Sequence, residues 1–257
     1  MSHSCAPRQT IARFQLRKMR LWHYVSQAFL AAPTNHTSPQ ATPSDSLVAD
    51  TMGSNFNGTM YFGYGSNLWR NQMEQRCPTS EYLGIARLND YRWIINERGY
   101  ANVVQSNRHH SDTDTAKSYE DEVWGLVYTL QASDEKRLDR NEGVPFAYTK
   151  ETLECDFWAV KDGAGPANVT EKPKRTDMLV YINRDMVEPS EPKREYIYRM
   201  NMGIKDAVKE GVPEKYVDAA MRKFIPKNEL VMSEIERAAR KQAAEFEDER
   251  RGDPVFC

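Results

Sequence analysis

Thr59-Met60-Tyr61-Phe62-Gly63-Tyr64-Gly65-Ser66-Asn67-Leu68 is the stretch whose reading decides the fold. Thr59 to Tyr64 is a short, aromatic-rich β run, and Gly65-Ser66-Asn67 closes it as a strand-to-turn signal. Leu68, Gln72 and Gln75 with Met73 predict one or two helical turns up to Arg76. Cys77-Pro78 stops them, because proline cannot continue the backbone hydrogen-bond ladder. A strand, a tight turn and a helix start leave backbone N–H groups and the positive dipole end facing outward. Such a place suits a carboxylate or a developing oxyanion, and Gly65 lets a ligand come close to the backbone. Taken alone, the same residues also make an ordinary turn with an N-cap. Gly63-x-Gly65 lacks the third glycine of a dinucleotide fingerprint and no GxxxxGK[ST] occurs, so nucleotide cradles are not indicated.

Outward from that stretch, strands are predicted at Tyr82 to Leu88, Tyr91 to Asn96, Ala101 to Gln105 and Val123 to Leu130. The last is nearly apolar throughout and reads as buried on both faces. Ser106 to Asp121 between them is polar loop. Ser133 reads as an N-cap, with Asp134 and Glu135 in the first helical turn, Lys136, Arg137 and Arg140 later, and Gly143 ending the segment. Further strands fit Tyr148 to Val160 and Met178 to Asn183, joined by an exposed connection from Lys161 to Thr176, and a helix fits Glu195 to Lys209. Pro213 starts a short helix with Tyr216, Val217, Ala220 and Phe224 at helical spacing, and Pro226 ends it. Asn228 caps a charged helix to about Arg250. Its stripe of Leu230, Val231, Ile235, Ala238 and Phe246 suits a surface helix laid on the domain or a dimer contact.

The first 51 residues differ in kind. Arg8, Arg13, Arg17, Lys18 and Arg20 come with no acidic residue before Asp45, and a Ser/Thr/Pro-rich stretch follows. Residues 1–58 are therefore expected to be a leader outside the fold. It reads as a disordered segment or an over-extended start ahead of Met52 or Met60, or as a basic amphipathic transit peptide with the mitochondrial matrix as destination. The organisation predicted is a leader (1–58), one domain (59–226), and a C-terminal charged helix and tail (227–257).

Composition narrows the classes. The 257 residues carry 35 basic and 37 acidic side chains, a formal charge of -2. No field results that would collect nucleic acid or an anionic membrane, so a small molecule or a protein is the expected partner. Cys5, Cys77, Cys155 and Cys257 are far apart and form no CxxC pair, which indicates neither a zinc site nor a disulfide framework. No apolar run approaches the ~20 residues of a membrane span. The chain reads as soluble, reduced and cytoplasmic. Sequons at Asn35, Asn57 and Asn168 read as chance.

Among the acids, Glu142 stands at a predicted helix C-terminus, where unpaired carbonyls disfavour a carboxylate, and precedes the apolar Val144-Pro145-Phe146. Both features raise its proton affinity, which suits a group that accepts and returns a proton near neutral pH. A solvated helix-end glutamate is the competing reading. Cys77 with His109 or His110 is a weaker nucleophile candidate, since it precedes a proline and the histidines lie in polar loop. The stretches around Trp93, Trp124 and Trp158 read as packing.

Five blocks in order carry a resemblance: Tyr61 to Leu68, Gly84-Ile85-Ala86-Arg87-Leu88-Asn89-Asp90-Tyr91, Gly99-Tyr100-Ala101-Asn102-Val103-Val104, Asp121-Glu122-Val123-Trp124-Gly125-Leu126-Val127-Tyr128, and Leu138-Asp139-Arg140-Asn141-Glu142-Gly143-Val144. Together they resemble the γ-glutamyl cyclotransferase family over about Thr59 to Pro226. The resemblance implies an α+β fold, a small closed mixed β-barrel flanked by helices, working as a homodimer without metal or cofactor. It implies Glu142 as the acid/base residue, and Tyr61, Phe62, Gly63, Tyr64, Gly65, Ser66 and Asn67 as the substrate loop. It further implies Tyr196 near the bound γ-glutamyl group and Tyr148 as a further pocket tyrosine, its spacing from Glu142 one residue shorter than the family pattern. The loop Ser106 to Asp121 is longer than in compact members, which bears on access for larger substrates.

The implied reaction closes a γ-glutamyl amino acid or peptide to 5-oxoproline and expels the free amine. Two alternatives stand beside it. One is a cyclotransferase acting on glutathione or a glutathione S-conjugate in a detoxification or sulfur-toxin pathway. The glutathione group's turn reads Tyr-Gly-Ser-Leu, and Asn67 departs from it. The other is a binding module of the same fold without catalysis, against which Glu142 argues.

Overall fold

The computed structural model describes residues 58–106, 119–161, 165–227 and 233–246. They contain seven strands: β1 (Thr59–Gly63), β2 (Tyr82–Asn89), β3 (Tyr91–Ile95), β4 (Ala101–Gln105), β5 (Glu122–Leu130), β6 (Thr149–Ala159) and β7 (Lys174–Ile182). Five α-helices accompany them: α1 (Arg70–Arg76), α2 (Ala132–Asn141), α3 (Arg194–Lys209), α4 (Glu214–Ala219) and α5 (Ser233–Ala244). The expected leader, His109, His110 and most of the long polar loop lie outside the described residues.

β5 is buried at every one of its nine positions, as a strand with neighbours on both edges and cover on both faces must be. It pairs antiparallel with β1 on one edge and with β2 on the other. β2 continues antiparallel to β6 and β6 to β7, and a parallel contact of Tyr61 with Leu179 closes β7 onto β1. The result is the closed mixed barrel β1-β5-β2-β6-β7, with β3 and β4 forming a separate two-stranded hairpin. Closure leaves no barrel edge to attract another strand.

Three local details differ from the sequence reading. α2 begins at Ala132 with Gln131 at its N-cap, so Ser133 lies inside the first turn. The buried Asp134 carboxylate accepts from the Thr79 amide at 3.0 Å and the Thr79 hydroxyl at 2.6 Å, tying the turn after α1 to α2. β7 begins at Lys174, inside the stretch read as loop, because Lys174 to Asp177 pair with Phe157 to Glu154 while staying in solvent. The segment opened by Pro213 passes after six residues of α4 into a 3-10 turn at Met221–Lys223.

The barrel places the end of β1 beside a 3-10 turn at Ser66–Leu68, and α1 follows at once. α3 packs on that turn through Gly203, where a Cβ would stand 2.9 Å from both Leu68 Cβ and Trp69 N. α5 lies over α3 and α1, burying Ala239 and Ala243.

Candidate active site

One cavity collects residues from β1, the 3-10 turn, α1, the start of β4, the end of α2, the start of β6, β7, α3 and the segment after α5. Tyr61, Tyr64, Gly65, Ser66, Asn67, Glu142, Tyr148 and Tyr196 all line it, so these sequence-predicted residues come together from distant segments.

Phe62 and Gly63 do not. Successive residues of a strand face opposite ways, and Phe62 points into the barrel, fully buried, with its ring 6.2 Å from that of Tyr64. Gly63 lies close against β5: a Cβ on Gly125 would meet Gly63 O at 2.5 Å. Both lie in the expected substrate loop but outside the cavity lining.

Glu142 is the C-cap of α2. Gly143 follows with φ 66°, and the Gly143 and Val144 amides donate to the carbonyls of Arg140 and Asp139. This closing pattern needs a left-handed residue, which glycine adopts at little cost. It turns the chain so that the Glu142 side chain enters the cavity, 17% exposed. The carboxylate's proton affinity is raised, chiefly by burial, against the opposing pull of Arg76, an Asn67 hydrogen bond, Arg199 and Arg98. The cause differs from the one read in the sequence. The Leu138, Asp139 and Arg140 carbonyls at the end of α2 are paired, and Phe146 is 87% exposed, so it does not cover the carboxyl group.

Asn67 organises the floor. Its Nδ2 donates to Glu142 Oε1 at 2.9 Å and to Tyr61 Oη at 2.8 Å, while its Oδ1 accepts from Gln72 Nε2 at 2.7 Å and Arg76 Nη1 at 3.2 Å. Both amide protons and both oxygen lone pairs are thereby used. Asn67 belongs to the site by orienting Glu142, with no hydrogen-bonding capacity left on its side chain for a ligand.

Tyr196 occupies one of the backbone amides of the turn. Its hydroxyl oxygen accepts from the amides of Ser66 and Ala101, each at 3.2 Å. With both lone pairs occupied, the hydroxyl acts toward a ligand as a donor. Burial raises its proton affinity to about 12, so that proton is retained at neutral pH. Tyr148 donates to Ala101 O at 2.8 Å and Tyr64 to Tyr181 O at 2.6 Å, fixing the remaining walls. Cys77 is buried and its thiol is pushed up to about 12 by burial, which removes it as a nucleophile.

Several wall residues escaped sequence reasoning. Arg199 lies one turn from Tyr196 on α3, pairs with Glu195 and donates to Ser66 Oγ at 3.1 Å; its helical spacing could have revealed it. Tyr100 and Ala101 sit inside a quoted block. Arg76 and Phe246 carried no such signal. Phe246 closes the cavity with its ring 5.2 Å from that of Tyr100, and its amide donates to Asn141 Oδ1 at 3.1 Å.

Among the described residues, no group of three or more His, Cys, Asp or Glu is placed to hold a metal ion, and no helix is long and apolar enough to cross a membrane.

Comparison with known proteins bears on the same region. Residues 122–219 match the AIG2-like family. The chain is 33% identical to human γ-glutamylcyclotransferase over 96 residues, 37% of this chain and 50% of the human protein. It is 36% identical to the mouse γ-glutamylcyclotransferase over 86 residues, 33% of this chain and 44% of the mouse protein. The chain thus spans about half the length of the curated relatives it matches. A solved structure of γ-glutamyl cyclotransferase superposes with a TM-score of 0.51 at 24% identity, covering 72% of this chain and 99% of that one. The resemblance to γ-glutamyl cyclotransferases and the fold they share are therefore established.

Proposed function

We propose that this chain, a relative of the γ-glutamyl cyclotransferases carrying their fold, closes the γ-glutamyl group of a small amino-acid or peptide substrate to 5-oxoproline. The observation that carries the reading is Glu142, a carboxylate of raised proton affinity set in a tyrosine-lined cavity and held there by Asn67.

The substrate's α-amine attacks its own γ-carbonyl carbon. A C–N bond closes the five-membered ring, and the γ-amide C–N bond breaks to release an amine. Reactant and nucleophile share one molecule, so the cavity's task is to fold the glutamyl arm into attack geometry, where effective molarities reach on the order of 10⁵ M or more. An α-ammonium, which ordinarily titrates near ~8, is mostly protonated at neutral pH. Glu142 as carboxylate takes one proton from it and returns that proton to the departing nitrogen, while the second proton shed by the ring nitrogen on attack goes to solvent. The Tyr196 hydroxyl, already accepting two amide bonds, donates to the substrate carboxylate or to the tetrahedral oxyanion. Ser66, Tyr61 and Tyr148 shape the pocket around the glutamyl arm. The reaction moves one acyl group and protons, and draws on no redox step.

We further propose γ-glutamyl amino acids as the substrates, and a homodimer in the cytoplasm. The domain is proposed to span residues 59–226, with the leader before it. Incubating the purified protein with γ-glutamyl-alanine, glutathione and a glutathione S-conjugate, and assaying 5-oxoproline, tests the reading; release from none of them overturns it. Light scattering tests the dimer, and import into isolated mitochondria with and without residues 1–51 tests the leader.

A further inference from the structure

Arg76 ends α1 as a buried guanidinium, 3% exposed. Its Nη1 stands 3.9 Å from Glu142 Oε1, an ion-pair distance too long for a hydrogen bond. The donors go elsewhere. Nε donates to Ala243 O at 2.9 Å, Nη2 to Gln242 O at 2.8 Å, and Nη1 to Asn67 Oδ1 at 3.2 Å. Gln242 and Ala243 are in the last turn of α5, the end of a helix whose dipole favours a cation. An arginine facing a carboxylate in a closed site otherwise tends to pair with it bidentately, the strongest arrangement open to it. Such a pair would make Glu142 a weaker base and occupy its oxygens.

We propose that α5 is a tether: through the Gln242 and Ala243 carbonyls it holds Arg76 beside Glu142 but out of hydrogen-bond contact, leaving the carboxylate available to a proton from the substrate. Arg76 is then a positioning residue, and the C-terminal helix is part of the site. This rests on the proton-carrying role of Glu142.

The other cations facing Glu142 are Arg199 of α3 and Arg98 of the turn between β3 and β4. The facing phenols, Tyr61 of β1, Tyr64, Tyr148, Tyr181 of β7 and Tyr196 of α3, are raised by burial above their ordinary values. So is the Cys77 thiol. None of these changes charge where Glu142 titrates.

The test follows the Glu142 carboxyl resonance in ¹³C-glutamate-labelled full-length protein, assigned by its loss in Glu142→Gln, together with the acid limb of kcat/KM for 5-oxoproline release. Arg76→Met removes the cation and should move the titration up by about one unit or more. Ala239→Gln puts a larger neutral side chain on the buried face of α5 and unseats it; Arg76 then closes on Glu142, and the titration should move down. Water entering the opened site would also move it down, so the two changes are combined. The tether requires the downward shift of Ala239→Gln to be smaller when Arg76 is already Met. Arg76→Lys keeps the charge without the fork that spans both carbonyls, and should titrate below wild type; it serves if Arg76→Met does not fold. An unmoved or lowered titration in Arg76→Met, a raised one in Arg76→Lys, or a shift in Ala239→Gln that is absent or independent of Arg76 overturns the tether. The resonance reads the proposal even if the wild type releases no 5-oxoproline, in which case the functional reading fails separately.

Discussion

Asn67 Nδ2 donates to Glu142 Oε1 at 2.9 Å across 75 residues of chain, and the same nitrogen holds the Tyr61 hydroxyl. The asparagine side chain is fixed in orientation, because its oxygen faces two donors and its nitrogen two acceptors. The turn therefore fixes where the Glu142 carboxylate points.

Replacing Asn67 by leucine should test that aim. The change leaves the buried groups of Tyr61, Gln72 and Glu142 short of partners, at a cost of about 1–3 kcal/mol per unsatisfied group. It also removes a hydrogen bond that favours the charged carboxylate, so the acid limb of the pH–rate profile should move upward. A thermal melt and a pH profile measure the two effects. A profile that stays in place would remove Asn67 from the control of Glu142.

Glu142→Gln should cost about 10²–10⁴-fold in 5-oxoproline release, the usual scale of general acid–base catalysis. Its effect on stability should have the opposite sign. Between the ordinary carboxylate range and the raised value in the folded state, the folded protein holds a proton that the unfolded chain has lost. Wild-type stability then falls as pH rises through that window and stays lowered above it. Glutamine imitates the neutral acid and escapes the loss. The variant should melt above wild type at neutral pH, and the gap should close below about pH 4. Calorimetry across pH reads the sign directly; a variant that melts lower at neutral pH would mean that the charged carboxylate is the stabilised form.

Much of this arrangement was legible in the sequence where local rules suffice. The run Thr59 to Tyr64 with its turn, the apolar run of β5 and the glycine after Glu142 each report on nearest neighbours in the chain, and each appears in the fold. Phe62 and Gly63 stand in the quoted block but outside the cavity lining, because a family block names a stretch, while only some of its residues border the cavity. Arg76 looked like an ordinary basic residue suiting the end of a helix. It is held by carbonyls 166 and 167 residues further on, and no periodicity reports a contact at that range. Phe246 was seen as part of an apolar stripe, and the cavity it closes exists only once α5 is seated.

Tyr196→Phe should separate scaffold from chemistry at the turn. The lost hydroxyl strands the amides of Ser66 and Ala101, costing about 1–3 kcal/mol each unless water replaces it. It also deletes the donor proposed to face the substrate. If Tyr196 acts on the transition state, kcat should fall with KM little changed, whereas a role in ground-state binding alone would raise KM. Steady-state kinetics on γ-glutamyl-alanine distinguishes them. Gly65→Ala should produce a milder form of the same defect, since its Cβ would meet Tyr196 Oη at 3.0 Å and Ala101 Cβ at 3.2 Å, pressing the hydroxyl out of place.

Gly203→Ala tests whether the site depends on how closely α3 approaches the turn. In a helix, alanine is favoured over glycine by about 1 kcal/mol, so helix propensity alone predicts stabilisation. The added Cβ, however, would stand 2.9 Å from Leu68 Cβ and from Trp69 N, and backbone at that distance cannot swing aside as a side-chain tip can. Overpacking of this kind costs about 1–3 kcal/mol and should outweigh the propensity gain. The strain falls on the 3-10 turn that carries Ser66 and Asn67, while α3 carries Tyr196 and Arg199, so moving one from the other pulls apart the Ser66–Tyr196 hydrogen bond. The variant should therefore lose stability and 5-oxoproline release together, in proportions that Gly203→Ser, larger still, should exaggerate. A Gly203→Ala protein that melts at or above wild type would show that α3 and the turn can separate without cost.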